Sequence, residues 1–191
     1  MKQEDPRHLL AKVAEILQEL KIPYLVTGGM AVLIWGRPRF TADIDIVIEL
    51  KIENINSLIR ALSALGKASY IDENMIEEAL KQGGEFNFIH GDTGIKVDFW
   101  VLKKQPFELS RMKRRRAKYI LGQKVYFISA EDLILTKLQW HKQGESTRHL
   151  EDIESILRIS AKKLNWEYLK QWAKKLGVWK ILEKLIQKKK V

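Results

Sequence analysis

The stretch Asp43-Ile44-Asp45-Ile46-Val47-Ile48 alternates acids with aliphatic residues. Successive side chains of a strand point to opposite faces, so Asp43 and Asp45 share one face while Ile44, Ile46 and Ile48 take the other. Two carboxylates side by side repel one another unless a cation or a cationic side chain lies between them. A third acid, Asp98, lies in Ile95-Lys96-Val97-Asp98-Phe99-Trp100, which alternates in the same way. If the two strands are neighbours, three carboxylates converge. Hard oxygen ligands of this kind suit Mg2+ or Mn2+, which keep several waters and share substrate phosphates. Two such ions about 3.5–4 Å apart clamp the attacking and leaving oxygens of an in-line phosphoryl displacement. The bland reading of Asp43 and Asp45 is a solvated face on an edge strand.

Upstream, Tyr24-Leu25-Val26 reads as a short strand that hands over to a helix at Thr27-Gly28-Gly29. Glycines at such a junction let backbone amides approach a phosphate, and the helix N-terminus favours an anion. Alone, Gly28-Gly29 could equally be a plain turn. Followed fourteen residues later by Asp-x-Asp, it points to a triphosphate. The spacing Gly-x-Gly-x-x-Gly is absent, so this is no dinucleotide fingerprint. Arg39 and Thr41 lie just before the acids and either orient the triphosphate or cap the loop. His8, His90, His141 and His149 show no zinc-ligand spacing, and there is no Cys for a thiolate site or nucleophile. A metal-dependent nuclease also uses acidic pairs, but the Gly-Gly turn favours a triphosphate over a phosphodiester.

These residues need elements to hold them. Asp5-Pro6 opens a helix whose apolar positions run from Leu9 to Leu20. A helix from Gly28 to Gly36, the breaker Arg37-Pro38-Arg39 and a strand from Asp43 to Leu50 follow. Helical patterns cover 53–65 and 72–82. Glu85–His90 and Ile95–Leu102 form a hairpin about Gly91-Asp92-Thr93-Gly94, and Tyr119–Leu121 and Val125–Ile128 a second about Gly122-Gln123. From the capping box Ser129-Ala130-Glu131-Asp132 onward the pattern is helical, with Asn165 capping a helix that ends before Gly177. The fold class is α+β: a small mixed sheet flanked by helices over residues 1–128, then a C-terminal helical region over 129–191 packed on it, the alternative being one continuous domain.

Composition sets the outer bounds. At 191 residues, 46% hydrophobic and 30% charged, the chain is globular rather than disordered or fibrous. The longest apolar run, Met30–Trp35, falls far short of a bilayer span, so no membrane is expected. The start MKQEDPRHLL lacks an apolar signal core, and with no Cys a cytoplasmic location is expected. The net charge of +10 favours polyanionic partners. Between Lys103 and Lys124 stand nine basic residues against the single acid Glu108. Arg114, Arg115 and Arg116, with Tyr119 nearby, either grip an acceptor backbone or form a solvated surface. The second basic stretch, 162–190, carries Leu164, Leu169, Trp172, Leu176, Trp179, Leu182 and Leu185 at near-helical spacing. Core packing with a lysine-rich outer face explains it best.

Taken together, Tyr24–Ala31, Arg37–Asp45, Gly94–Phe99, Ile128–Leu138 and Arg148–Ile153 resemble the nucleotidyltransferase superfamily that includes DNA polymerase beta. The chain looks most like its AbiEii-type toxin branch, over about residues 20–157. The resemblance implies transfer of a nucleoside monophosphate from an NTP such as ATP to an acceptor hydroxyl, on RNA (tRNA included) or protein. It implies two Mg2+ or Mn2+ ions and, in a toxin–antitoxin setting, a cognate partner protein. Asp43, Asp45 and Asp98 would then be the catalytic, metal-binding acids, with Asp98 helping to deprotonate the acceptor. Gly28 and Gly29 would hold the triphosphate with Arg39, Thr41 and Lys137, and Asp152 would organise the site. Two departures stand out: Gly28-Gly29 replaces the commoner Gly-Ser, and Glu151 stands where a Lys usually precedes the acid. A catalytically silent nucleotide- or RNA-binding module of the same fold is the alternative.

Overall fold

The computed structural model describes residues 5–144 and 146–188. The first four residues of the opening segment, and Lys189 and Lys190 of the basic tail, lie outside the described residues. By its contacts the chain divides into two units. One runs to Met30 and resumes over Phe40–Ile128. The other takes Ala31–Arg39 and the chain from Ser129.

The first unit opens with α1 (Pro6–Glu19), where the Asp5 carboxylate accepts from the Arg7 N–H at 3.0 Å and Pro6 takes the first helical position. Leu9, Leu10, Val13, Ala14 and Leu17 form its buried stripe. Lys21, in the left-handed region at φ 55, ends the helix and turns the chain into β1 (Tyr24–Val26). The helix α2 (Gly28–Trp35) begins one residue after β1, and the division between the units falls inside it. Then come β2 (Ile44–Ile48), α3 (Ile55–Ser63), β3 (Tyr70–Ile71) and α4 (Glu73–Gln82). Asp72 caps α4 by accepting from the Met75 N–H, and Gly83 at φ 67 closes it in the left-handed conformation that glycine tolerates. β4 (Glu85–Ile89), β5 (Lys96–Val101), α5 (Pro106–Lys113), β6 (Arg116–Ile120) and β7 (Gln123–Phe127) complete the unit.

Among the described residues the strands make one seven-stranded mixed sheet in the order β3-β4-β5-β2-β1-β7-β6. β2 pairs in parallel with β5 and antiparallel with β1, while β7 runs parallel to β1. β4–β5 and β6–β7 are the two expected hairpins. β1 is buried along its length, and β2, the middle strand of the seven, is buried at Ile44, Ile46, Val47 and Ile48, with only Asp45 half-buried. Burying each isoleucine contributes about 2 kcal/mol, which holds the acids' strand in register. The strand starts at Ile44, one residue later than the alternation suggests, leaving Asp43 exposed at its mouth. Two further differences are β6, which begins at Arg116 rather than Tyr119, and α5, a helix inside the basic stretch.

The second unit holds the helices α6 (Ala130–Gly144), α7 (Thr147–Ser160), α8 (Trp166–Lys175) and α9 (Trp179–Lys188). Leu133, Ile134, Leu138, Ile153, Ile156, Leu157, Leu169 and Leu182 are its core. The capping box forms: the Ser129 hydroxyl accepts from the Asp132 N–H at 3.2 Å and donates to its carboxylate at 2.6 Å. Glu131 accepts from the Asn165 N–H at 2.7 Å and Asp132 from the Tyr168 hydroxyl at 2.7 Å, fixing the start of α8 against α6. Residues 36–39 are held on α7, where the Arg37 N–H donates to the Ser155 hydroxyl at 3.0 Å. No described helix is long and apolar enough to cross a membrane.

Candidate active site

The parallel pairing of β2 with β5 makes Asp45 and Asp98 direct register partners. Partners in a ladder present their side chains to the same face. On the other side of Asp98, β4 places Asn87 in the same row. The row therefore reads Asp45, Asp98, Asn87 across three strands. Asp43 lies one step before the Ile44–Val97 pair, opposite Lys96. Register thus brings Asp45 and Asp98 side by side, while Asp43 lies just outside the paired strand.

A cation is already among them. The Lys96 ammonium lies 2.9 Å from an Asp98 carboxylate oxygen, with Asp98 16% and Lys96 43% exposed. Its hydrogen bond to Asp98, with the charges of Asp98, Asp43 and Glu85, holds the Lys96 ammonium above the usual lysine range. Among the described residues no three His, Asp or Glu side chains are gathered closely enough to hold a metal as they stand. The donor set nonetheless suits a hard divalent cation: carboxylates on one face, with no soft ligand among them.

The glycine turn lies against the same acids. Gly28 has φ +59, a conformation costly for any side chain, and a Cβ there would overlap the Asp45 carboxylate. Gly29 is pressed against Thr41, whose Cβ would be 2.8 Å from an added Cβ. Both glycines are therefore required by close approach, one to an acid and one to the loop that precedes it. Thr41 in turn donates weakly to the Asp43 carbonyl at 3.4 Å. The Thr27 hydroxyl oxygen, one residue before the turn, is buried without a hydrogen-bond partner.

In the second unit the other named residues form a buried ion triad. Asp152, 3% exposed, accepts from Arg39 through both oxygens at 2.7 and 2.8 Å. The Lys137 ammonium, 2% exposed, meets the same carboxylate at 2.8 Å. Burial pushes the Asp152 carboxyl up, but the hydrogen bonds of Arg39 and Lys137 outweigh it and hold the group below the usual range. Lys137 also lies 5.7 Å from the Trp140 ring centre. His149 stacks obliquely on Trp140 at 5.5 Å, and burial with the Lys137 charge pushes its imidazole down.

Of the three consecutive arginines, Arg115 faces inward. It donates to the Met112 carbonyl at 2.8 Å and covers the Tyr126 ring at 5.1 Å. Arg116 is exposed on the edge strand β6, and Tyr119 of the same strand is 74% exposed. Sequence reasoning missed Lys96 and Asn87. Lys96 had one readable signal, a place two residues before Asp98 on the same strand face. Asn87 had none, because its place in this row depends on the register of β4.

Residues 13–185 match the family described as nucleotidyl transferase AbiEii toxin, type IV TA system. A search of the curated proteins finds no match. Among solved structures, the solution structure of the antibiotic-resistance factor ANT(2'')-Ia is 18% identical. The alignment covers 93% of this chain and 94% of that one, with a TM-score of 0.58. The crystal structure of ANT(2'')-Ia with adenylyl-2''-tobramycin gives 17% identity over 90% and 96%, also at 0.58. The lincosamide antibiotic adenylyltransferase LnuA, lincomycin-bound, is 15% identical over 82% and 98%, at 0.52. At such identities these likenesses speak for the fold, and the α+β architecture is that of a nucleotidyltransferase. The match over residues 13–185 carries the rest: the chain belongs to the AbiEii nucleotidyltransferase family.

Proposed function

We propose that this protein is a metal-dependent nucleotidyltransferase that moves a nucleoside monophosphate from an NTP onto an acceptor hydroxyl of RNA, in a toxin–antitoxin setting. The observation that carries the reading is the Asp45–Asp98 register pair, with Gly28 against Asp45, in a member of this family. Asp43, Asp45 and Asp98 would hold two Mg2+ or Mn2+ ions, which when bound supply charge neutralisation at the transferring phosphoryl group. The Gly28-Gly29 turn leads into α2, whose first amides donate to the triphosphate, while Thr41 steadies the loop beside Gly29. Asp98 takes the proton of the acceptor hydroxyl, a role that requires it to be free of Lys96. In the second unit, Asp152 orients Arg39 and Lys137. Arg114 and Arg116, in the basic run before and at the start of β6, are acceptor contacts, while Arg115 supports them through Tyr126.

The test is transfer of label from each α-labelled NTP, with Mg2+ or Mn2+, onto total RNA or protein. The chain with Asp43→Asn and Asp45→Asn should lose transfer by at least about a hundredfold while keeping its circular dichroism. Label on protein rather than RNA would move the acceptor to the other class. If the double variant bound Mg2+–nucleotide as tightly as the parent, the assignment of the acids would be wrong. NTP binding without transfer to any acceptor would point to a silent binding module.

A further inference from the structure

Asp45 and Asp98 stand side by side in the ladder, and the repulsion of like charges there works against the fold. Here a side chain of the chain itself answers that repulsion. Lys96 is two residues from Asp98 on one face of β5, opposite Asp43 by register, and its ammonium is 2.9 Å from the Asp98 carboxylate. Ladder pairing brings Asp45 alongside Asp98. Lys96 thus meets Asp98 and stands opposite Asp43 in the strand register, and the acid it holds is the one assigned to the acceptor proton.

We propose that Lys96 is a tethered counter-ion that occupies Asp98 in the metal-free protein and competes with the divalent cation for it. This inference rests on the metal-dependent reading above. While Lys96 holds Asp98, that carboxylate is neither a complete metal ligand nor a base for an incoming hydroxyl. Metal binding releases the ammonium, whose flexible four-carbon stem and 43% exposure let it turn away without unfolding β5. The released ammonium stays within one side-chain length of the acids. Lys96 is a positioning residue: it acts on the reaction through Asp98, two residues along the same strand. The arrangement also ties exposure of the base to arrival of the metal, so a metal-free site presents Asp98 already neutralised.

The competition has a sign that a purely structural lysine would not give. Titration of the nucleotide-free chain with Mn2+, followed by electron paramagnetic resonance, should show tighter binding in Lys96→Met than in the parent, by about fivefold for a half-exposed ion pair. Lys96→Arg should restore the weaker parental affinity. In Asp98→Asn the Lys96→Met change should leave Mn2+ affinity unmoved, because the competition runs through Asp98. Should Lys96→Met not fold, the parent alone decides: Mg2+ titration should shift the Lys96 side-chain 15N resonance towards that of a free lysine. Parental Mn2+ binding with unchanged or weaker affinity in Lys96→Met, or a Lys96 resonance indifferent to saturating Mg2+, overturns the inference and leaves the enzyme reading intact. No Mn2+ binding by the parent, with or without NTP, overturns both.

Discussion

Asp152 shows how much a single residue can carry. Its carboxylate, 3% exposed, is shared by Arg39 and by Lys137, itself 2% exposed. Removing one partner of a buried ion pair leaves the other charge uncompensated, so Asp152→Asn should destabilise the protein by about 3 kcal/mol, read from urea midpoints. Lys137→Met should cost less, since Arg39 still covers the acid through two hydrogen bonds. The pH dependence has a definite sign. The folded Asp152 binds its proton less readily than the unfolded chain, whose value is 3.8. Its contribution is therefore complete above that pH and is lost as the pH falls through the lower folded value. His149 acts earlier, because its folded imidazole also lies below the unfolded value of 6.5. Stability should fall as pH drops through that window, and His149→Gln should flatten the fall. At this scale the acids on strands were legible because period-two alternation is local. The triad was legible only as separate names, because Arg39 and Asp152 stand 113 residues apart.

Among the elements, the β6–β7 hairpin offers the clearest test. Ile120 pairs with Gln123, leaving Leu121 and Gly122 as a two-residue turn with φ values of 50 and 84. Positive φ at both positions is the turn that matches strand twist, and it suits Asn-Gly far better than Leu-Gly. Leu121 is 54% exposed, so its side chain contributes little packing. Leu121→Asn should therefore stabilise the protein by about 0.5 kcal/mol, measured by urea unfolding, whereas Gly122→Ala should destabilise it. The hairpin was readable from its turn glycine, though one residue late, because Gln123 looks more like a turn residue than Leu121 does. The hairpin β4–β5 was readable for the same reason, with four turn-forming residues between alternating strands. β3, two residues long, leaves no period to detect and exists through its pairing with Phe88 and Ile89. α5 was hidden by charge: its buried side, Phe107, Arg111 and Met112, includes an arginine neutralised by Glu108.

For the molecule as a whole, the sequence carried the class of fold but not the pairing that matters most. β2 and β5 are parallel neighbours separated by two helices and a β-strand pair, and nothing local specifies that contact. The net charge of +10 was legible from the first count, and its use can be measured. If the basic run near β6 contacts the phosphates of a single-stranded acceptor, log affinity must fall linearly with log salt, because each contact releases condensed counterions. Arg114→Ala with Arg116→Ala removes two such contacts. The slope should become shallower by about 1.4, taking roughly 0.7 per contact for a single strand. Arg115→Ala should behave differently, lowering stability through the lost Met112 hydrogen bond and Tyr126 contact, with a smaller effect on the slope. Filter binding of a labelled RNA from 50 to 300 mM KCl, on the order of the range where such slopes are resolved, separates the two. An unchanged slope in the double variant would make this run a solvated surface and send the search for the acceptor site elsewhere on the molecule.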